Sequence, residues 1–158
     1  MDRDKSRWVQ GAIQQFEGRL LRYTGRFVPI HTAQEIVQET FLRLWEQDMA
    51  KVKDHLAQWL FTVCRNQAVD RCRAEGRNLD GPVDGHSTES NNPETLTTLN
   101  RDLSRLVSRL PPAQREVLRL KFEEDLSYKE ISAITGHSVS YVGVLIHEAI
   151  AKLRIDYE

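Results

Sequence analysis

Trp8, Val9, Ala12, Ile13, Phe16, Leu20, Tyr23 and Phe27 recur at steps of three and four. That spacing puts them on one face of a helix. Pro29 ends this helix, since its ring blocks continuation of the hydrogen-bond ladder. Thr32-Ala33-Gln34-Glu35 then has the spacing of a capping box, in which Thr32 and Glu35 satisfy each other's free backbone donors. It predicts the start of a second helix, with Ile36, Val37, Phe41, Leu44 and Trp45 as its apolar face. A short polar stretch, Gln47 to Asp54, follows. Asp54 is the N-cap candidate of a third helix carrying Leu56, Trp59, Leu60, Val63, Cys64 and Ala68, which fades into Arg71–Arg77. Three helices of this size make a small bundle.

The pattern then stops and resumes. Residues 78–95 are rich in Gly, Pro, Ser, Thr and Asn and poor in apolar side chains. Such a stretch buries too little surface to offset its ordering entropy, so it reads as a flexible acidic linker; a long ordered surface loop is the other reading. Beyond it, Leu96, Leu99, Leu103, Leu106, Val107 and Leu110 mark another amphipathic helix, broken by Pro111-Pro112. Pro112 suits a first helical position, and the helix it opens runs to Phe122. Ser127-Tyr128-Lys129-Glu130 is a second capping box, and Gly136 is the expected C-cap glycine of the short helix it starts. Ser138 or Ser140 caps a last helix running to about Arg154. Two helices joined by a short glycine-containing turn form the helix-turn-helix pattern. Ile131, Ile134, Val142 and Ile146 are apolar where these helices must pack, and Ala133 and Gly136 are small where they must approach. The expected fold is all-α: a helical bundle over 1–77, the linker over 78–95, and a helix-turn-helix domain over 96–158.

Charge sharpens this division. The 158 residues carry 22 Lys+Arg against 23 Asp+Glu, a net charge of −1, which excludes a uniformly basic nucleic-acid binder. The first 79 residues hold 13 bases and 10 acids, whereas residues 80–100 hold four acids and no base. No apolar run approaches the ~18 residues a membrane span needs, and no secretory signal is read behind the charged MDRDKSRW. The expected location is the cytoplasm, with no membrane partner.

Catalytic chemistry finds no footing. His31, His55, His86, His137 and His147 lack metal-ligand spacing. Cys64 and Cys72 sit about two helical turns apart, out of bridging range. No phosphate-binding glycine loop or nucleophile motif is present. The expectation is a non-enzyme with no catalytic residue, no metal and no cofactor.

Binding chemistry is better represented. On the third helix and its approach, Lys51, Lys53, Arg65, Arg71, Arg73 and Arg77 surround Trp59, Phe61 and Asn66. Cations follow a phosphate backbone and aromatics stack on unpaired bases, a mixture suited to melted DNA; a core tryptophan under a solvated basic face is the plainer reading. The second helix presents Gln38, Glu39, Arg43 and Glu46 on its polar face, where a partner helix could dock, or where charges are merely solvated. In the helix-turn-helix, Ser138, Ser140 and Tyr141 stand at the start of the second helix, the part that reads base edges in DNA-binding versions; an ordinary helix hairpin is the alternative. That helix has no base before Lys152, so weak intrinsic duplex affinity is expected from this half.

The order of these pieces resembles one family. HTAQEIVQETFLRLWE, then AQWLFTVCRNQAVDRCR, then a polar linker, then RLPPAQREVLRLKFEEDLSYKEISAITGHSVSYVGVLIHEAIAKLR is similar to bacterial RNA polymerase sigma factors of the extracytoplasmic-function (ECF) type, within the sigma-70 family. The resemblance implies that Glu35, Gln38, Glu39, Phe41, Leu42 and Trp45 contact the clamp coiled coil of core RNA polymerase. It implies that Lys51, Lys53, Trp59, Arg65, Asn66, Asp70, Arg71 and Arg73 capture and open the minus-ten promoter element, with Met49–His55 as the loop that holds a flipped-out base. It implies that Lys129, Ser138, Ser140, Tyr141 and His147 face the minus-35 element, and that the same region touches the polymerase flap. The last helix departs from the family's base-rich pattern, with Tyr141, Val142, Gly143, Val144 and Leu145 in place of several bases.

The implied function is promoter selection and opening at transcription initiation, with core polymerase and promoter DNA as partners and an anti-sigma factor as a further one the family allows. Two other functions stay open at this point. One is a sigma-like interaction module that titrates an anti-sigma factor. The other is a stand-alone helix-turn-helix regulator.

Overall fold

The computed structural model describes residues 2–77 and 98–157, which belong to two compact units. All regular structure among the described residues is helical, in keeping with the all-α expectation. The expected linker, 78–95, and Leu96 lie outside the described residues.

The first unit is built on α1 (Asp2–Thr24), α2 (Ile30–Glu46) and α4 (Leu56–Ala74), packed pairwise. Val9, Ala12, Phe16, Leu20 and Tyr23 of α1 are buried at the anticipated spacing. They meet Ile36, Val37, Phe41 and Leu44 of α2 and Leu60, Phe61, Cys64 and Ala68 of α4 in one core. Leu20, Ile36, Leu44, Leu60 and Phe61 are essentially inaccessible to water. Each such side chain contributes roughly 1.5–3 kcal/mol by burial. A polar thread runs through this core: Thr40 Oγ1 donates to Ile36 O at 2.7 Å, accepts from Gln67 Nε2 at 3.0 Å, and lies 3.3 Å from Cys64 Sγ.

Two helix starts differ from the sequence expectation. Helix α2 begins at Ile30 after Pro29, and the Thr32–Glu35 capping box is not formed. The first turn closes when Ala33 N donates to Pro29 O at 2.9 Å, so Thr32 is already helical. With the cap at Pro29, the third helical position falls on Thr32 and not on a glutamate, so no box can close. Glu35 turns instead to Arg71. Likewise Asp54 caps nothing. Asp48 Oδ1 accepts from Ala50 N at 3.1 Å and starts α3 (Met49–Val52), which runs through a 3-10 turn, Lys53–His55, into α4. The polar stretch before the third helix is therefore itself wound, and the cap belongs at its head. At the far end, Gly76 adopts φ +72 and Arg77 N donates to Cys72 O at 2.8 Å, the glycine-terminated stop of a helix. Arg77 Nη1 donates to Phe27 O, so this arginine ties α4 to the α1–α2 corner rather than joining a basic DNA-facing set.

The second unit comprises α5 (Thr98–Ser108), α6 (Pro112–Phe122), α7 (Tyr128–Thr135) and α8 (Val139–Tyr157). Pro112 is at the first helical position, as its chemistry favours. Leu110, Val117, Leu120, Leu126, Ile131, Ile134, Val142, Leu145 and Ile146 form its core. Here the capping box does form: Ser127 Oγ accepts from Glu130 N at 3.1 Å, and Glu130 Oε1 accepts from Ser127 N at 2.9 Å. Gly136 ends α7 in the left-handed conformation at φ 84. Ser138 Oγ accepts from Tyr141 N at 3.1 Å and caps α8. The expectation that Ala133 and Gly136 permit close helix approach fails. Ala133 is exposed, and a Cβ on Gly136 would meet nothing, so Gly136 is there for its backbone conformation. The small residue facing a neighbour is Gly143, whose Cβ position lies 3.5 Å from the Tyr128 ring.

Candidate functional site

On α2, residues at successive steps of three, four and three share a face. Glu35, Gln38, Leu42 and Trp45 occupy it, and all are exposed. Leu42 is 64 % exposed and Trp45 43 %. The opposite face holds the bundle core. Trp45 therefore leaves the apolar core face to which its spacing assigned it. Its neighbour is Lys5, whose Nζ stands 5.8 Å from the ring centroid. Glu39 flanks this stripe, accepting from Arg43 Nε at 3.3 Å. Phe41 points inward and is buried, so it supports the stripe from beneath rather than offering a contact. A leucine and a tryptophan side by side among polar groups form the kind of surface that anchors a protein partner.

On α4, Trp59, Asn66, Asp70 and Arg73 follow one another at steps of seven, four and three, again a single face. Asn66, Asp70 and Arg73 are exposed and Trp59 is half-buried. Arg65 is half-buried at the margin. Lys51 and Lys53 are exposed on the wound segment before α4. Arg71 lies off this stripe, where its Nη2 donates to Glu35 Oε2 at 3.0 Å. Phe61 is not available for stacking on a base. It is fully buried, edge-on to Tyr23 at 5.2 Å between centroids, with the Arg19 guanidinium 5.6 Å from its ring. Trp59 is thus the aromatic left to face a ligand on α4. Cys64 and Cys72 are free and buried. Burial pushes the Cys64 thiol up to about 11, partly offset by the hydroxyls of Thr40 and Thr24, and raises Cys72 as well. Both are protonated at neutral pH, the inert state of a thiol.

In the second unit, Lys129, Ser138, Ser140, Tyr141 and His147 are all exposed. The Ser138 hydroxyl is engaged as the α8 cap, and the Tyr141 ring lies edge-on to His137 with centroids 5.2 Å apart. Sequence reasoning missed Val139 and Val144, each 47 % exposed beside them. Spacing from Ser140 and Tyr141 would have placed Val144 on that face. Glu148, one turn on, accepts from Gln114 Nε2 at 3.1 Å and is drawn toward α6. A groove of about 430 Å³ opens among α5, α6 and α8, lined chiefly by Leu103, Val107, Leu118, Phe122, Ile150 and Leu153. Phe122 stands 63 % exposed at its edge.

Among the described residues, no three His, Cys, Asp or Glu side chains are placed to hold a metal ion. No helix among them is long and apolar enough to cross a membrane.

Comparison with known proteins agrees with this division. Residues 12–78 match the family model for Sigma-70 region 2, and residues 100–153 match that for Sigma-70, region 4. The chain is 30% identical over 137 residues to the ECF RNA polymerase sigma factor SigM of Bacillus subtilis, covering 80% of each. It is 28% identical over 131 residues to the ECF RNA polymerase sigma factor RpoE of Cereibacter sphaeroides, covering 77% of this chain and 70% of the relative. It is 32% identical over 134 residues to the ECF RNA polymerase sigma factor SigE of Mycolicibacterium smegmatis. That match takes in 80% of this chain but 52% of the relative, so the chain spans about half of that protein's length.

Proposed function

The chain belongs to the ECF RNA polymerase sigma factors of the sigma-70 family, and on that premise we propose how its residues divide the work of starting transcription. As a sigma factor it binds core RNA polymerase, directs it to particular promoters and assists their opening. In our reading it does this without catalytic chemistry of its own, and in the cytoplasm.

The α2 stripe of Glu35, Gln38, Leu42 and Trp45, with Glu39 beside it, takes the clamp coiled coil of the polymerase. A helix laid there covers the two apolar side chains and meets polar groups at the rim. The α4 stripe takes the minus-ten element as it opens. Trp59 offers a ring to an unstacked base, Asn66 and Asp70 offer hydrogen bonds, and Arg65, Arg73, Lys51 and Lys53 follow the phosphates. These contacts offset the few kcal/mol that unpairing costs. Arg71 acts with them while held by Glu35. The second unit supplies the minus-35 contacts through α7 and α8, and its apolar groove faces the polymerase flap.

Tethering both units to one polymerase makes each DNA contact effectively intramolecular. Individually weak contacts then add, which is how a chain with a net charge of −1 can select promoters. ECF sigma factors are often controlled by anti-sigma factors, and the exposed Leu42–Trp45 pair is a surface for which one would compete with polymerase.

The observation that carries this reading is the pair of outward stripes on α2 and α4 of a single bundle, one apolar-centred and one Trp–Asn–Arg. The test is transcription in vitro with purified core polymerase on a genomic promoter library. Promoter-dependent transcripts that appear only when this chain is added are expected. Their absence would remove the assignment.

A further inference from the structure

Building on the sigma factor reading, we infer that α8 recognises the upstream promoter element through thymine methyl groups, with Val144 as the specificity-determining residue. That helix is distinguished by what it lacks. From Val139 to Ala151 it carries no Lys or Arg. The commonest specific contact in a major groove, a bidentate Arg or Lys on guanine O6 and N7, is therefore impossible from this surface. The one carboxylate in this stretch, Glu148, accepts a hydrogen bond from Gln114 and is drawn to α6.

What remains on the outward face is Ser140, Tyr141, Val144 and His147. The Tyr141 ring is set against His137. Val144 stands between Tyr141 and His147 along the helix, 47 % exposed. The inward face of α8 is already filled by Val142, Leu145, Ile146 and Ala149, so Val144 is not needed for packing. In the major groove the one apolar feature a base pair presents is the thymine C5 methyl. The second helix of a helix-turn-helix enters that groove with its N-terminal half. Val144, in the second turn of α8, is placed to cover such a methyl. Ser140 at the first turn supplies a hydroxyl that donates to phosphate or base. The upstream element is thus expected to hold thymine opposite Val144 and to lack the guanine dependence that a basic recognition helix confers.

The test uses holoenzyme assembled from core polymerase and the full chain. A promoter library randomised across the upstream element is transcribed, and the productive members are sequenced. Thymine is expected at one position or two adjacent ones. Replacing that thymine by deoxyuridine removes only the methyl group and should lower transcript yield roughly fourfold, the worth of one buried methyl. V144A should lose a similar factor on the thymine template and respond little to deoxyuridine. A yield unchanged by deoxyuridine, or a selected element with no thymine preference, overturns the inference. So does a V144A protein that fails to bind core polymerase, which would assign this face to a protein contact. A forked template with the minus-ten segment already single-stranded separates the two readings, because it needs polymerase docking and α4 but no upstream contact. Transcription from the fork with a deoxyuridine-insensitive upstream element removes this inference alone. No transcription from either template removes the sigma factor assignment, and this inference with it.

Discussion

Glu35 and Arg71, 36 positions apart in sequence, meet at 3.0 Å across α2 and α4. One belongs to the stripe assigned to polymerase and the other to the set assigned to promoter DNA. Both are about half exposed, so their ion pair adds little to stability, about 0.2–1 kcal/mol. Its effect is to hold the Arg71 guanidinium at the boundary between the two stripes. Glu35→Gln should therefore leave the melting temperature nearly unchanged. It should reduce promoter opening as well as polymerase binding, and a double-mutant cycle with Arg71→Ala should show coupling in the opening assay. Additive effects of the two changes would mean that the pair is incidental.

Trp45 is the largest apolar side chain on the α2 stripe proposed to meet polymerase. Trp45→Ala should weaken binding to core polymerase at least tenfold, as truncation of a buried interface aromatic does. The circular dichroism spectrum should stay unaltered, because the residue is already 43 % exposed. Gln38→Ala should act in the same direction with smaller effect. Polymerase capture by each variant, measured by equilibrium titration, decides the point.

Asn66→Ala and Arg73→Ala should separate opening from docking. Both side chains are exposed on α4, so neither change should unfold the bundle. Permanganate reactivity of promoter thymines should fall severalfold while polymerase affinity holds. Equal losses in both measurements would make these residues structural.

Phe61 and Trp59 make a contrasting pair on the same helix. Phe61→Ala removes a fully buried ring packed on Tyr23 and should cost about 3–5 kcal/mol in a urea unfolding curve. Trp59→Ala, at a half-buried site, should cost less stability and more promoter opening. The reverse ranking would exchange their roles.

The Cys64 thiol sets a limit on alkaline stability. Its value is raised by burial from 9.0 to about 11. Between these two pH values the unfolded chain releases this proton and the folded chain keeps it, so folding stability falls as pH rises. The contribution is fully present below pH 9, and about 2 kcal/mol of it is lost by pH 11. Urea unfolding at pH 8 and pH 11 should show this fall, and Cys64→Ala should lessen it. An identical pH dependence in the variant would exclude the thiol as its source.

Helical caps show how far local pattern reaches. The tetrads Thr32–Glu35 and Ser127–Glu130 have the same capping spacing, yet only the second closes into a box. With Pro29 at the cap, α2 starts three residues before a Thr32 cap would have started it. The proline was legible, but its priority over the threonine was not, because it depends on where the α1–α2 corner sets the chain. The cap at Asp48 in place of Asp54 is hidden in the same way: a single helical turn plus a 3-10 turn is too short to leave a periodic signature.

The order of the long helices, most of their inward faces, the two-part organisation and the family follow from the amino-acid sequence by itself. The reason is that helix periodicity, prolines and capping tetrads are properties of residues three or four apart. Only the tertiary structure decided which aromatic is core and which is surface. Phe61 and Trp45 are both large aromatics of the first unit, but Tyr23 of α1 packs edge-on against Phe61, whereas Trp45 stands 43 % exposed with the Lys5 ammonium near its ring. The same holds for Val144 against Val142 on α8, and for Arg71 turned to Glu35 rather than aligned with Arg73. Exposure depends on what a third element covers, and that is written in no local window of the chain.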